Sequence, residues 1–289
     1  MSKVNGQRSN VNFAFFGTDT FSVTILNELK DAGFIPSLVV TPTDKPKGRK
    51  MIITPPDAKV WATENNIPVL QPEKLDASFI GQLSKVNCQL FIVASFGKII
   101  PGNILDIPKK GTLNVHPSLL PKLRGASPIQ TSILENEDTG VTIMLMDEKM
   151  DHGPILAQDR LSESDIADGW PPTAQVLEDI LAHNGGKLLA HVIPLFMNDK
   201  VTPIEQEHDE ATFTKLIKKE DALIDLDEDP WTNYLKIQAY SGWPRAYFFV
   251  EKKRVVITSA SFKEGKLIIE KVIPEGKKEM DYKSFVDRK

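Results

Sequence analysis

The chain of 289 residues has a single cysteine, Cys88, so no disulfide can form within it and a stapled small-scaffold fold is excluded. No apolar stretch approaches the roughly 18 residues that a membrane helix needs. The longest candidate, around Leu90 to Ile100, is interrupted by Ser95, Gly97 and Lys98. Residues Met1 to Asn10 are polar and offer no apolar signal core, so export is not expected and a cytoplasmic, reducing setting is. The five histidines, His116, His152, His183, His191 and His208, show no ligand spacing with cysteine or carboxylate, and no metal site is expected. Gly17 follows an apolar run, but G-x-G-x-x-G is missing, which argues against a dinucleotide site. Gly185-Gly186-Lys187 lacks the spacing of a phosphate-binding loop and reads as a break in a long helix.

Charge is also sparse in net terms. At -4 overall the chain looks unsuited to an anionic polymer, yet its charges are unevenly placed. Trp231 to Lys289 holds 13 Lys/Arg against 7 Asp/Glu, and Thr41 to Lys59 holds 5 against 2. Two basic regions on an acidic chain fit an anionic ligand, but solvated lysine faces give the same counts. Charge alone decides nothing.

What the chain does have is rhythm. Apolar runs of strand length at Val11–Phe16, Pro36–Val40, Cys88–Ala94, Gly111–His116 and Gly140–Met146 alternate with helical patterns. The helices are read near Phe21–Leu29, Asp57–Asn65, Ser78–Lys85, Ser127–Asn136 and Thr173–Leu195. This order predicts an α/β fold with a Rossmann-like open, mostly parallel sheet and helices on both faces. A polar connector, Asn198 to Glu210, follows. Beyond it Trp243–Val250, Arg254–Ser259 and Lys266–Val272 read as short strands of a small C-terminal antiparallel β-barrel (OB-like). The expected domains are 9–204, catalytic, and 207–289.

The candidate site sits on the strand Gly111–His116. Thr112, Asn114 and His116 alternate with Leu113 and Val115, which places a carboxamide and an imidazole on one face about 7 Å apart. A donor that never titrates beside a group that titrates near neutrality suits acyl-type transfer, in which an oxyanion is stabilised and a proton moves. Both residues are equally well explained as satisfied polar groups at a strand end. Arg124-Gly125 reads equally as a turn, and Asp151 as a cap.

The run NVHPSLLPKLRGASPIQ, followed by TGVTIMLMDEKMDHGPI, closely resembles the folate-dependent formyltransferases. The shared pattern is Asn-x-His, SLLP, Arg-Gly and a downstream Asp. Within that family the resemblance extends further, to the branch that acts on initiator methionyl-tRNA. FFGTDTFSV, TPTDKPKGRKMIITPPDAKVWATENNIPVLQPEKL, KKEDALIDL, SGWPRAY and VIPEGKKEMDYKSF extend the likeness from about Val11 to Phe285. Branches that formylate amino-sugar nucleotides lack the PKGRK loop and the GKKEM ending, which coincide with the two basic regions. In three places the pattern departs, with Leu226 for Trp, Asp19 for Pro and Ser127 for Ala.

The resemblance implies formyl transfer from 10-formyltetrahydrofolate to the α-amine of methionyl-tRNA, with no metal. It implies Asn114 as oxyanion donor, His116 as second donor or proton shuttle, and Asp151 as partner to His116 or a water. Ser118, Leu119, Leu120 and Pro121, with Phe96, Gly97 and Ile99, would border the folate. Arg49, flanked by Lys47 and Lys50, would reach the end of the acceptor stem, and Phe16, Thr18 and Phe21 would wall the methionyl side chain. The C-terminal domain would contact tRNA phosphates, and a monomer is expected. A sugar-nucleotide N-formyltransferase and a non-catalytic RNA- or folate-binding module are the rival readings.

Overall fold

The apolar runs become the strands of one sheet. The structure is a computed structural model that describes residues 11–48, 51–167 and 169–287. The first elements are β1 (Phe13–Gly17), α1 (Thr20–Asp31), β2 (Leu38–Val40), β3 (Lys45–Lys47), β4 (Ile52–Thr54), α2 (Asp57–Glu64) and β5 (Val69–Leu70). Next come α3 (Ala77–Ser84), β6 (Leu90–Ala94), α4 (Gly102–Leu105), β7 (Thr112–His116), β8 (Arg124–Gly125), α5 (Pro128–Glu135), β9 (Gly140–Leu145), β10 (Ile155–Arg160) and α6 (Ala174–Met197). The remainder are β11 (Phe213–Thr214), α7 (Pro230–Ala239), β12 (Tyr247–Val250), β13 (Lys253–Lys263), β14 (Lys266–Pro274), β15 (Met280–Asp281) and α8 (Tyr282–Val286).

Seven strands form the main sheet in the order β10-β9-β7-β6-β1-β2-β5. From β7 to β5 every pair is parallel, while β9 runs antiparallel to β7 and β10. The chain adds β2 on one side of β1 and later β6 on the other. That reversal opens a crevice at the carboxyl ends of β1 and β6, the usual place for a site in such a sheet.

One sheet face carries Ala14, Phe16, Phe91 and Val93, covered by Phe79 and Leu83 of α3 and by Ile104 and Leu105 of α4. Asn114 pairs in register with Val93 and so shares this face. The opposite face meets α6. There the expected helix break at Gly185-Gly186-Lys187 is not found, because α6 runs unbroken from Ala174 to Met197. A Cβ on Gly185 would stand 2.7 Å from Val115 Cγ1, and one on Gly186 2.6 Å from Glu28 Cβ. These glycines let α6 approach the sheet and α1 closely; they do not end the helix. Among the described residues no helix is long and apolar enough to cross a membrane.

The chain divides into two compact units. One takes the described chain up to Arg124, with Gly140–Arg160 and Asp179–Thr212; the other takes Gly125–Thr139, Leu161–Glu178 and the described chain from Phe213. In the second unit β12-β13-β14-β15 form an antiparallel sheet in chain order. Ile224, Ile237, Ala246, Phe248, Val255, Ile257 and Val272 make its core. Strand β12 begins at Tyr247 and not at Trp243, since Arg245 takes a left-handed φ of +73 and its N–H turns back to the Tyr240 carbonyl. Glu251 and Lys252, both with positive φ, make the tight turn into β13.

Candidate active site

Strand β7 delivers Asn114 and His116 to its carboxyl end with both side chains on one face. His116 is 4% exposed, and its Nε2 lies 3.1 Å from the Leu123 carbonyl oxygen. A carbonyl only accepts, so Nε2 carries the proton and Nδ1 is the nitrogen left for chemistry. Nδ1 faces Asp151 Oδ1 at 3.7 Å, beyond a direct hydrogen bond. The carboxamide of Asn114, also buried, has no hydrogen-bond partner among the described residues, so its donors remain for a ligand.

Asp151 ends a short turn after β9 and takes a left-handed φ of +49. Two residues on, a Cβ at Gly153 would meet the Leu145 carbonyl oxygen at 2.0 Å, so only glycine fits this close return of the chain. Gln206 crosses behind the turn. Its Nε2 donates to the carbonyls of Asp151 (3.0 Å) and Gly153 (2.7 Å), and its Oε1 accepts from Arg124 Nη2 (2.6 Å) and Nε (3.2 Å). Arg124 Nη2 also donates to His208 Nδ1 at 3.0 Å, which assigns that nitrogen as an acceptor. The His208 ring stacks on His152 at 4.0 Å, and His152 Nδ1 lies 2.6 Å from Asp147 Oδ2. Burial pulls the Arg124 guanidinium below its usual pKa, against the opposing pull of the Asp151 and Asp147 charges.

A second network holds the SLLP segment. Thr142, fully buried on β9, donates to the Ser118 carbonyl (2.6 Å) and accepts from the Leu120 N–H (3.2 Å) and from Gln158 Nε2 (2.9 Å). Gln158 also donates to the Leu120 carbonyl at 2.8 Å, and Ser118 Oγ donates to the Lys122 carbonyl at 2.7 Å. The Ser118 side chain is therefore committed to its own turn. Leu120 is buried, whereas Leu119 and Pro121 are half-buried.

The other expected residues scatter more. Phe96 is buried and meets Phe16 edge-on at 5.4 Å, while Gly97 is exposed and Ile99 is 81% exposed. Phe16 is fully enclosed in the core, Phe21 is buried, and half-buried Thr18 donates to the Phe96 carbonyl at 3.0 Å. Asp19 caps α1 and accepts from Ser95 Oγ at 2.5 Å, tying the β1–α1 turn to the segment after β6. Lys47 lies exposed on β3, paired with Ile52 of β4; Arg49 and Lys50 fall outside the described residues. The sequence reading missed Gln206, Thr142 and Gln158. Only Thr142 left a signal, a hydroxyl inside the apolar run GVTIML that would have to find partners once buried.

Residues 10–193 match the formyl transferase family and residues 216–266 match the formyl transferase C-terminal domain. The chain belongs to the formyl transferase family. Among formyltransferases it is 37% identical to a methionyl-tRNA formyltransferase of Bacillus licheniformis, over 94% of this chain and 93% of the relative. It is 43% identical to that of Geobacillus sp. WCH70, over 82% and 74%. Of solved structures, methionyl-tRNA formyltransferase from Clostridium thermocellum superposes with a TM-score of 0.61 at 22% identity, covering 91% of this chain and 98% of that one. HypX from Aquifex aeolicus, solved with tetrahydrofolic acid, reaches 0.66 at 14% identity over 96% of this chain and 47% of its own. At those identities the two structures speak to the fold.

Proposed function

We propose that this formyltransferase moves the formyl group of 10-formyltetrahydrofolate to the α-amine of initiator methionyl-tRNA, producing formylmethionyl-tRNA for translation initiation. The observation that carries the reading is the end of β7, where Asn114 keeps unpaired donors and His116 turns Nδ1 towards Asp151.

The folate supplies a formyl carbon bound to N10 as an activated amide. The C–N10 bond breaks as the bond to the α-amine forms, so N10 gains a proton and the amine loses one. Asn114 donates to the formyl oxygen as it gathers negative charge; one such donor is worth about 3–4 kcal/mol in comparable sites. His116 accepts the amine proton at Nδ1, with Asp151 offsetting the resulting charge, a service typically worth ~10²–10⁴-fold in rate. Folate would lie along residues 118–121, whose backbone the Thr142 and Gln158 network steadies, and beside Phe96, Gly97 and Ile99.

The acceptor is chosen elsewhere. The β3–β4 hairpin, with Lys45 and Lys47 beside exposed Met51, Ile52 and Ile53, and the basic region after Trp231 suit the tRNA backbone. The same reading makes residues 9–204 catalytic and 207–289 tRNA-binding, with the protein a cytoplasmic monomer. Purified protein incubated with 10-formyltetrahydrofolate should formylate charged initiator tRNA and leave a 4-amino-sugar nucleotide unchanged. The opposite preference would assign it to sugar-nucleotide formylation.

A further inference from the structure

We propose that Gln206 is a positioning residue that sets Asp151 opposite His116 through the backbone of the turn. The inference rests on the proposed role of Asp151 in formyl transfer.

Gln206 is 5% exposed and every hydrogen-bonding site of its carboxamide is used. Its two N–H groups hold the carbonyls of Asp151 and Gly153, and its oxygen takes two donors from Arg124. The two ends of the amide grip different parts of the site. On one side Arg124 directly follows Leu123, whose carbonyl receives His116 Nε2–H. On the other is the turn that presents the Asp151 carboxylate to His116 Nδ1 at 3.7 Å. One side chain thus spans the two backbone segments that determine where His116 and Asp151 stand. Asp151 also needs such a hold, because its φ of +49 is disfavoured for a residue with a Cβ.

Arg124 is itself fixed, by its N–H to the Thr212 carbonyl and by the stacked His208 that accepts from Nη2. The brace is therefore anchored at the Arg124 end and restrains the Asp151 end. Gln206→Glu separates the two: the carboxylate still pairs with Arg124, while both donors to the turn are lost and carbonyl oxygens face an anion.

The test is a double-mutant cycle in full-length protein, assayed with 10-formyltetrahydrofolate and charged initiator tRNA. Gln206→Glu should lower kcat about 10- to 100-fold, the scale expected when a catalytic group shifts by about 1 Å, with both KM values within about threefold. In an Asp151→Asn background the same change should cost less than about threefold more, since the group it places is already disabled. Full multiplication of the two losses, or a change confined to KM, would overturn the positioning role. Near-normal kcat in Gln206→Glu beside a disabled Asp151→Asn overturns this inference alone. A fast Asp151→Asn enzyme overturns the underlying reading of the site. Should Gln206→Glu fail to fold, Gln206→Asn, which keeps the amide but is too short to reach both sides, takes its place in the same cycle with the same expected outcomes.

Discussion

Thr142 donates its hydroxyl proton to the carbonyl of Ser118 across 2.6 Å, joining two residues 24 positions apart. Replacing it with valine keeps the shape and removes the bond, leaving the Ser118 carbonyl and the Leu120 N–H without this partner. Each buried polar group so stranded costs about 1–3 kcal/mol. Thr142→Val should therefore lose about 2–4 kcal/mol in a urea titration and raise KM for the folate more than for tRNA. Unchanged folate affinity would detach this network from the folate segment.

Asn114→Ala should lower kcat by roughly 10²–10³-fold, because its donors are expected to act on charge that builds only in the transition state. KM for tRNA should stay within about threefold. Steady-state kinetics decides, and a loss carried by KM alone would place Asn114 outside the chemistry.

Gly185→Ala sets two effects of opposite sign against each other. Helix propensity favours alanine by about 1 kcal/mol. The new methyl would stand 2.7 Å from Val115 Cγ1, and overpacking of that kind typically costs about 1–3 kcal/mol. Contact should win, so Tm should fall. A rise would mean that the helix and sheet have room to separate.

Burial pushes the Cys88 thiol up to about 11. The folded state thus favours the protonated thiol, and the stability linked to it is complete below the ordinary thiol pKa. It is lost as pH rises from there through about 11. Native protein at pH 8 should resist alkylation by iodoacetamide and react readily once unfolded. Rapid native alkylation would contradict the buried, protonated state.

Lys47→Ala should weaken tRNA use and reduce the slope of log K against log salt by about 0.7–0.9, the loss of one phosphate contact. Folate binding should not change. An unaltered salt slope would show that this lysine touches no phosphate.

The main sheet was legible because its strands are near-continuous apolar runs such as FAFF and LFIVA, a pattern that buried parallel strands require. Asn114 and His116 were legible because alternation on β7 fixes their common face without any tertiary knowledge. Gln206 was hidden for the converse reason. Its partners lie 53 to 82 positions away, and a glutamine within a polar stretch looks like any solvated side chain. The glycine pair in α6 misled for a related reason, since local propensity treats Gly as a weakness while the packed helix uses it as clearance. The late start of β12 turned on a left-handed Arg245, which no strand propensity records.

The Gln206 brace changes what an excised catalytic fragment would be. A chain cut after residue 204 would retain Asn114, His116 and Asp151, yet the amide that fixes their spacing would leave with the discarded piece. Such a fragment would carry the right chemical groups on a slack frame, and its slow turnover would be misread as a need for the rest of the C-terminal segment.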